Sequence, residues 1–233
     1  MSFLKKYTDA SDIQFILTTG NHDPVKPFYQ DAGKKDFLGK GGKSQAIFSE
    51  KNRVIAQDTS DLPTIITKDI AKLGYKDILH ELKDFGFYPK KEDQYWETPF
   101  SKYTYENYNF KTASKASRLN NRTYNIPGSV SEIPDVSYLV EPADNLWFLA
   151  IDANVYVPKD NETLTAHNPE AYNSASIGYN NVLTHKSHLI QWIESVSKRA
   201  KKLGKSLIVF SHYPTIDFND DATSEIKVLF GEN

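Results

Sequence analysis

At 233 residues, with 39% hydrophobic and 25% charged residues, the chain has enough apolar mass for one substantial core, so a single α/β domain over residues 1–233 is the default expectation. Its formal net charge of −2 offers no basic excess for nucleic acid or an anionic membrane surface, no run approaches the roughly 20 apolar residues that span a bilayer, and no signal-peptide pattern stands at the start. The lack of cysteine excludes disulfides, thiolate zinc sites and a Cys nucleophile.

Residues 2–10 read as the end of a helix, with Phe3 and Leu4 among lysines. The apolar run from Ile13 to Leu17 reads as a buried strand and leads into the turn Gly20-Asn21-His22-Asp23. Pro24 and Pro27 force an extended path, and the Gly/Lys-rich residues 33–42 read as a mobile loop. Gly41-Gly42-Lys43-Ser44 falls short of a nucleotide-binding loop, because Phe37 stands where that pattern needs glycine. Residues 64–85 read as one or two helices with Ile66, Ile70, Leu73, Ile78 and Leu82 on a stripe and Gly74 as a break. Residues 87–125 are rich in Tyr, Asn, Lys and Thr and suggest short irregular strands and loops. For the rings at Tyr95-Trp96 and from Tyr103 to Phe110, packing is favoured over a substrate pocket.

Residues 136–141 and 146–151 read as a hairpin about the turn Pro142-Ala143-Asp144-Asn145. Residues 159–181 are polar and read as loop. Residues 185–203 form the clearest helix, with Leu189, Ile193, Val196, Ala200 and Leu203 on one face. Lysines and Arg199 crowd its last turns and Gly204 is placed to end it. The next run, residues 206–210, is apolar on both faces, as for a central strand. It ends in Ser211-His212-Tyr213-Pro214.

Polar residues at the carboxyl ends of buried strands are the usual geometry of an α/β active site. Two such strands side by side bring Asn21, His22 and His212 to one sheet edge. Asn offers a neutral amide oxygen and His a neutral ring nitrogen to a transition metal; a second His can protonate a leaving alkoxide. Gly20 suits the sharp turn, where a side chain would crowd the backbone or an ion.

A strand ending in Gly20-Asn21-His22-Asp23 and a later strand ending in His212 together resemble the calcineurin-like metallophosphoesterases. Gln191-Trp192-Ile193 is similar to the helix of that family before its His-bearing strand, and Leu149-Ala150-Ile151-Asp152 resembles its strand ending in Leu-Asp. The resemblance implies a four-layer sandwich, two mixed β-sheets flanked by helices, and hydrolysis of a phosphoester substrate with two divalent ions of the Mn/Fe/Zn type. It assigns Asn21 and His212 as ligands of the second metal, His22 as the catalytic proton donor and Asp23 as its support. Residues 24–134 would be a large insertion.

The departures are as specific as the matches. The family's Asp-x-His and Gly-Asp motifs before the turn and its Gly-His-x-His motif after His212 are not in this sequence. Asn21 and His212 are neutral, so two divalent ions would face nearly uncompensated repulsion. The expectation is an incomplete sandwich, cut at both ends, that holds at most one ion weakly and is inactive or weakly active by itself. The alternative is a noncatalytic remnant that binds or supports. A sheet lacking its first strands would also expose an edge. Among possible substitutes, Asp152 and Asn154 imitate Asp-x-His superficially, Asp217, Asp220 and Asp221 read as a solvated acidic loop, and His185 and His188 as an exposed helix face. His80 and His167 carry no supporting context.

Overall fold

The computed structural model describes residues 14–51, 62–159, 166–175 and 181–213. The expected helix at residues 2–10, the residue Ile13 and the acidic residues Asp217, Asp220 and Asp221 lie outside them.

The first strands are β1 (Gly33–Leu38), β2 (Ser44–Phe48) and β3 (Leu62–Ile66), which form one sheet in that order. β1 and β2 are antiparallel, whereas β2 and β3 are parallel, so this sheet is mixed. Two expectations are corrected here. Residues 33–42 are a strand and a tight turn rather than a loop, because Gly41 and Gly42 take left-handed φ values of 71° and 74° and reverse the chain between paired strands. Thr64, Ile65 and Ile66 extend as strand rather than helix; all three are β-branched, and pairing with β2 supplies their ladder.

Helix α1 (Tyr75–Glu81) begins after Gly74, whose amide donates to Asp77 Oδ2 at 3.1 Å. It buries Tyr75, Ile78 and Leu79. Strand β4 (Tyr95–Glu97), helix α2 (Phe110–Ala116), and the short strands β5 (Thr123–Tyr124) and β6 (Ile133–Pro134) follow. Arg122 orders this irregular stretch. It is fully buried, donates Nε to Ser117 O at 2.7 Å and Nη2 to Phe87 O at 2.8 Å, and lies 5.1 and 5.4 Å from the rings of Tyr88 and Trp96. Burial lowers its guanidinium to about 10. The aromatic residues pack as expected: Tyr95 stacks on Trp147 and Trp96 on Tyr138.

β7 (Tyr138–Ala143) and β8 (Leu146–Ile151) form the expected hairpin, with Asn145 at φ 64° in its turn. Helices α3 (Val182–His185) and α4 (Ser187–Leu203) lead to β9 (Ser206–Ser211). In α4, Leu189, Trp192, Val196 and Ala200 are buried, and Gly204 ends the helix at φ 68°. The second mixed sheet runs β4-β7-β8-β9, with β8 and β9 parallel and in unbroken register from Leu146↔Ser206 to Ile151↔Ser211. The chain is thus mixed α/β with two mixed sheets and few helices.

Two further expectations are corrected in this sheet. β9 is an edge strand, not a central one: β8 is its only partner among the described residues, and neighbours Ile208 and Val209 are 46% and 44% exposed. Consecutive strand residues face opposite ways, so each face of β9 carries one exposed apolar residue, beside Leu207 and Phe210, which pack against the core. Residues 14–20 have no regular structure and no sheet ladder, so the strand expected over residues 13–17 is not formed at residues 14–17. The Leu17 amide donates to Phe85 O at 3.1 Å and its carbonyl accepts from the Tyr138 hydroxyl at 2.6 Å, so a carbonyl from the segment after α1 and a side chain occupy groups a ladder would use.

Candidate functional site

The turn at Gly20 is closed by the Asp23 amide, which donates to Gly20 O at 3.0 Å. Gly20 is buried, Asn21 half-buried, and His22 and Asp23 exposed. No hydrogen bond links Asp23 to His22 among the described residues. Asn21 and His212, 191 residues apart in sequence, meet: His212 Nε2 lies 3.2 Å from Asn21 Oδ1. A Cβ on residue 20 would stand 2.9 Å from His212 Nδ1, so the ring closes over a position that only glycine leaves open.

The pair is assembled through β8 rather than by two adjacent strands. On one side, β9 places Ser211 opposite Ile151, which sets His212 just past the end of β8. On the other, Thr18 Oγ1 donates to Ile151 O at 2.8 Å, Thr19 Oγ1 to Asp152 Oδ1 at 2.9 Å, and Asn154 Nδ2 to Gly20 O at 3.1 Å.

Asp152 and Asn154 are fully buried. Both oxygens of Asp152 accept bonds from the chain beside it, whereas Asn154 uses its side-chain Nδ2 and leaves Oδ1 without a partner among the described residues. Asp152 Oδ2 accepts from the Tyr75 hydroxyl at 2.6 Å and from Lys186 Nζ at 3.2 Å. Lys186, also fully buried, donates to Asp152 O at 2.5 Å and stands 3.6 Å from Asp135 Oδ2. His188 Nε2 lies 2.8 Å from the same oxygen of Asp135, and its ring lies between Phe100 and Tyr124. Burial opposes ionisation of Asp135, but Lys186 and His188 outweigh it and hold the carboxyl well below the usual range. The same burial, with the Asp152 charge beside it, pushes the Tyr75 hydroxyl well up, so it stays a donor.

His188 is therefore not the exposed helix-face residue expected; its side chain is only 27% exposed and is tied to Asp135. His185 is half-buried and contacts Thr184 Oγ1 at 2.8 Å, whereas His80 and His167 are exposed. Sequence reasoning passed over Thr19, Tyr75, Asp135 and Lys186. One signal was available: Lys186 precedes α4, where the helix dipole disfavours a cation, so it calls for carboxylates nearby.

The donor set fits one cation better than two. Atoms bound about 2.1 Å from one ion stand roughly 3.0–3.4 Å apart at octahedral to tetrahedral angles. The separation of 3.2 Å falls in that range. With its proton on Nδ1, His212 presents a bare Nε2 beside the Asn21 oxygen; with the proton on Nε2, the two share a hydrogen bond. Among the described residues no group of three or more His, Asp or Glu is placed to hold a metal. Set against models of known protein families, curated protein sequences and solved structures, the chain matches none.

Proposed function

We propose that this chain carries the second-metal side of a calcineurin-like metallophosphoesterase site, within an incomplete version of that family's four-layer sandwich. The supporting observation is the approach of Asn21 Oδ1 and His212 Nε2 to 3.2 Å. Two neutral donors from distant segments converge beyond the end of β8, at the spacing of ligands on one ion. On this reading Asn21 and His212 hold a divalent cation of the Mn/Fe/Zn type, His22 in the exposed turn donates a proton to the leaving group of a phosphoester, and Asp23 supports it. The scaffold does not select among phosphomonoesters, cyclic nucleotides, nucleic acids and phospholipid headgroups.

Calorimetric titration of the full chain with Mn²⁺ tests the assignment. His212→Ala is expected to weaken binding by more than the roughly tenfold that loss of even a supporting partner costs a metal site, whereas His22→Ala retains the metal and lowers any turnover of an aryl phosphate. Equal metal retention in both variants would overturn the roles. A second reading, a noncatalytic remnant, draws support from the two donors both being neutral, with no group of three or more His, Asp or Glu placed to hold a metal among the described residues. It predicts no Mn²⁺- or Zn²⁺-dependent hydrolysis and indifference to His22→Ala.

A further inference from the structure

We infer that Asp152 and Asn154, acting through Thr19 and Gly20, are the positioning residues that hold Asn21 against His212. The inference rests on the reading of those two side chains as a donor pair. Residues 14–20 have no ladder to register them. Three side-chain bonds do so instead, and they are consecutive: Thr18 to Ile151, Thr19 to Asp152, Gly20 to Asn154, at 2.8, 2.9 and 3.1 Å. His212 is indexed to the same stretch through the Ile151↔Ser211 pairing. Both halves of the pair are therefore measured from residues 151–154.

Asp152 is suited to be that reference point because it cannot reorient. Its Oδ1 accepts from Thr19 and from the Asn154 backbone N–H at 3.3 Å; its Oδ2 accepts from Tyr75 and Lys186; its own backbone N–H donates to Ser137 Oγ at 3.0 Å. Lys186 supplies the buried counter-charge that lets Asp152 stay in the interior. The Asn154 side chain has one described bond, to Gly20 O, and its Oδ1 has no partner. Its amide thus serves the turn and nothing else that is described.

The test leaves the ion pair intact. Thr19→Val removes one hydroxyl at nearly constant shape, and Thr19→Ser restores the donor. Hydrogen exchange at the Asp23 amide reports the turn, a urea midpoint reports the whole fold, and Mn²⁺ titration reports the pair. In Thr19→Val the Asp23 amide is expected to exchange about tenfold faster, the equivalent of one net hydrogen bond. Mn²⁺ binding should weaken by a similar factor, the urea transition should fall by no more than that one hydrogen bond, and Thr19→Ser should recover all three. If the turn loosens in Thr19→Val but the wild type takes up no Mn²⁺, the positioning inference holds and the metal reading fails. If the wild type binds Mn²⁺ and either exchange at Asp23 or the Mn²⁺ affinity is unmoved in Thr19→Val, the positioning inference is overturned.

Discussion

A methyl group at position 20 would meet three atoms of the His212 ring at 2.9–3.0 Å. The nearest real Cβ contacts are longer, so the ring or the turn must shift. Gly20→Ala is expected to cost about 1–3 kcal/mol, as for overpacking a closed site. It should also displace His212 from Asn21, read as a changed His212 imidazole resonance in a two-dimensional NMR spectrum. An unmoved resonance would show that the ring does not close over residue 20. The turn itself was legible because Gly, Asn and Asp are local turn formers and a single tetrapeptide carries them. The Asn21–His212 meeting was legible from two strand ends placed side by side and from a family resemblance, although the route through β8 was not. Thr19 was illegible for a physical reason: a threonine acts as a clamp only when a carboxylate 133 residues away faces it.

At the scale of elements, the buried Lys186 joins the start of α4 to the ends of β8 and to Asp135. Truncating one member of a buried ion pair leaves the other uncompensated. Lys186→Met is accordingly expected to destabilise the chain by about 3–5 kcal/mol in urea denaturation, and a change below about 1 kcal/mol would show that the two carboxylates take up protons instead. Acid should act on the same group. Burial works against the Asp135 charge, yet Lys186 and His188 keep its folded value below the unfolded one. The unfolded chain then binds more protons as pH falls, so the contribution is complete above about pH 4 and lost as pH drops below it. Asp135→Asn should flatten that part of the stability profile. Helix α4 and the β7–β8 hairpin were readable because their signals are local: a repeat of three and four, a helix-ending glycine, a turn between two apolar runs. β1 and β3 were not, because their pattern is weak alone and becomes strand only when β2 supplies hydrogen-bond partners. The edge position of β9 was equally hidden, since an apolar run looks the same whether or not both its faces are covered.

At the scale of the molecule, the open flank among the described residues is the side of the second sheet beyond β9. Exposed apolar edge strands are templates for pairing with other chains, and a charge on the strand is the usual remedy. Ile208→Lys is expected to raise the concentration at which the chain begins to scatter light, while changing unfolding stability by no more than about 0.5 kcal/mol, as for an exposed site. Unchanged scattering would show that this edge is not what drives association.

The unbroken parallel register of β8 and β9 has a kinetic consequence. A hairpin such as β7–β8 closes locally, but a parallel neighbour must wait for the intervening crossover to fold, and loop closure of that length is slow. The contact between residues 21 and 212 closes a loop of 191 residues. During synthesis the amide half emerges early and stays single until nearly the whole described chain has left the ribosome. Assembly of the pair is thus a late event, and its appearance reports that the sheet has been completed.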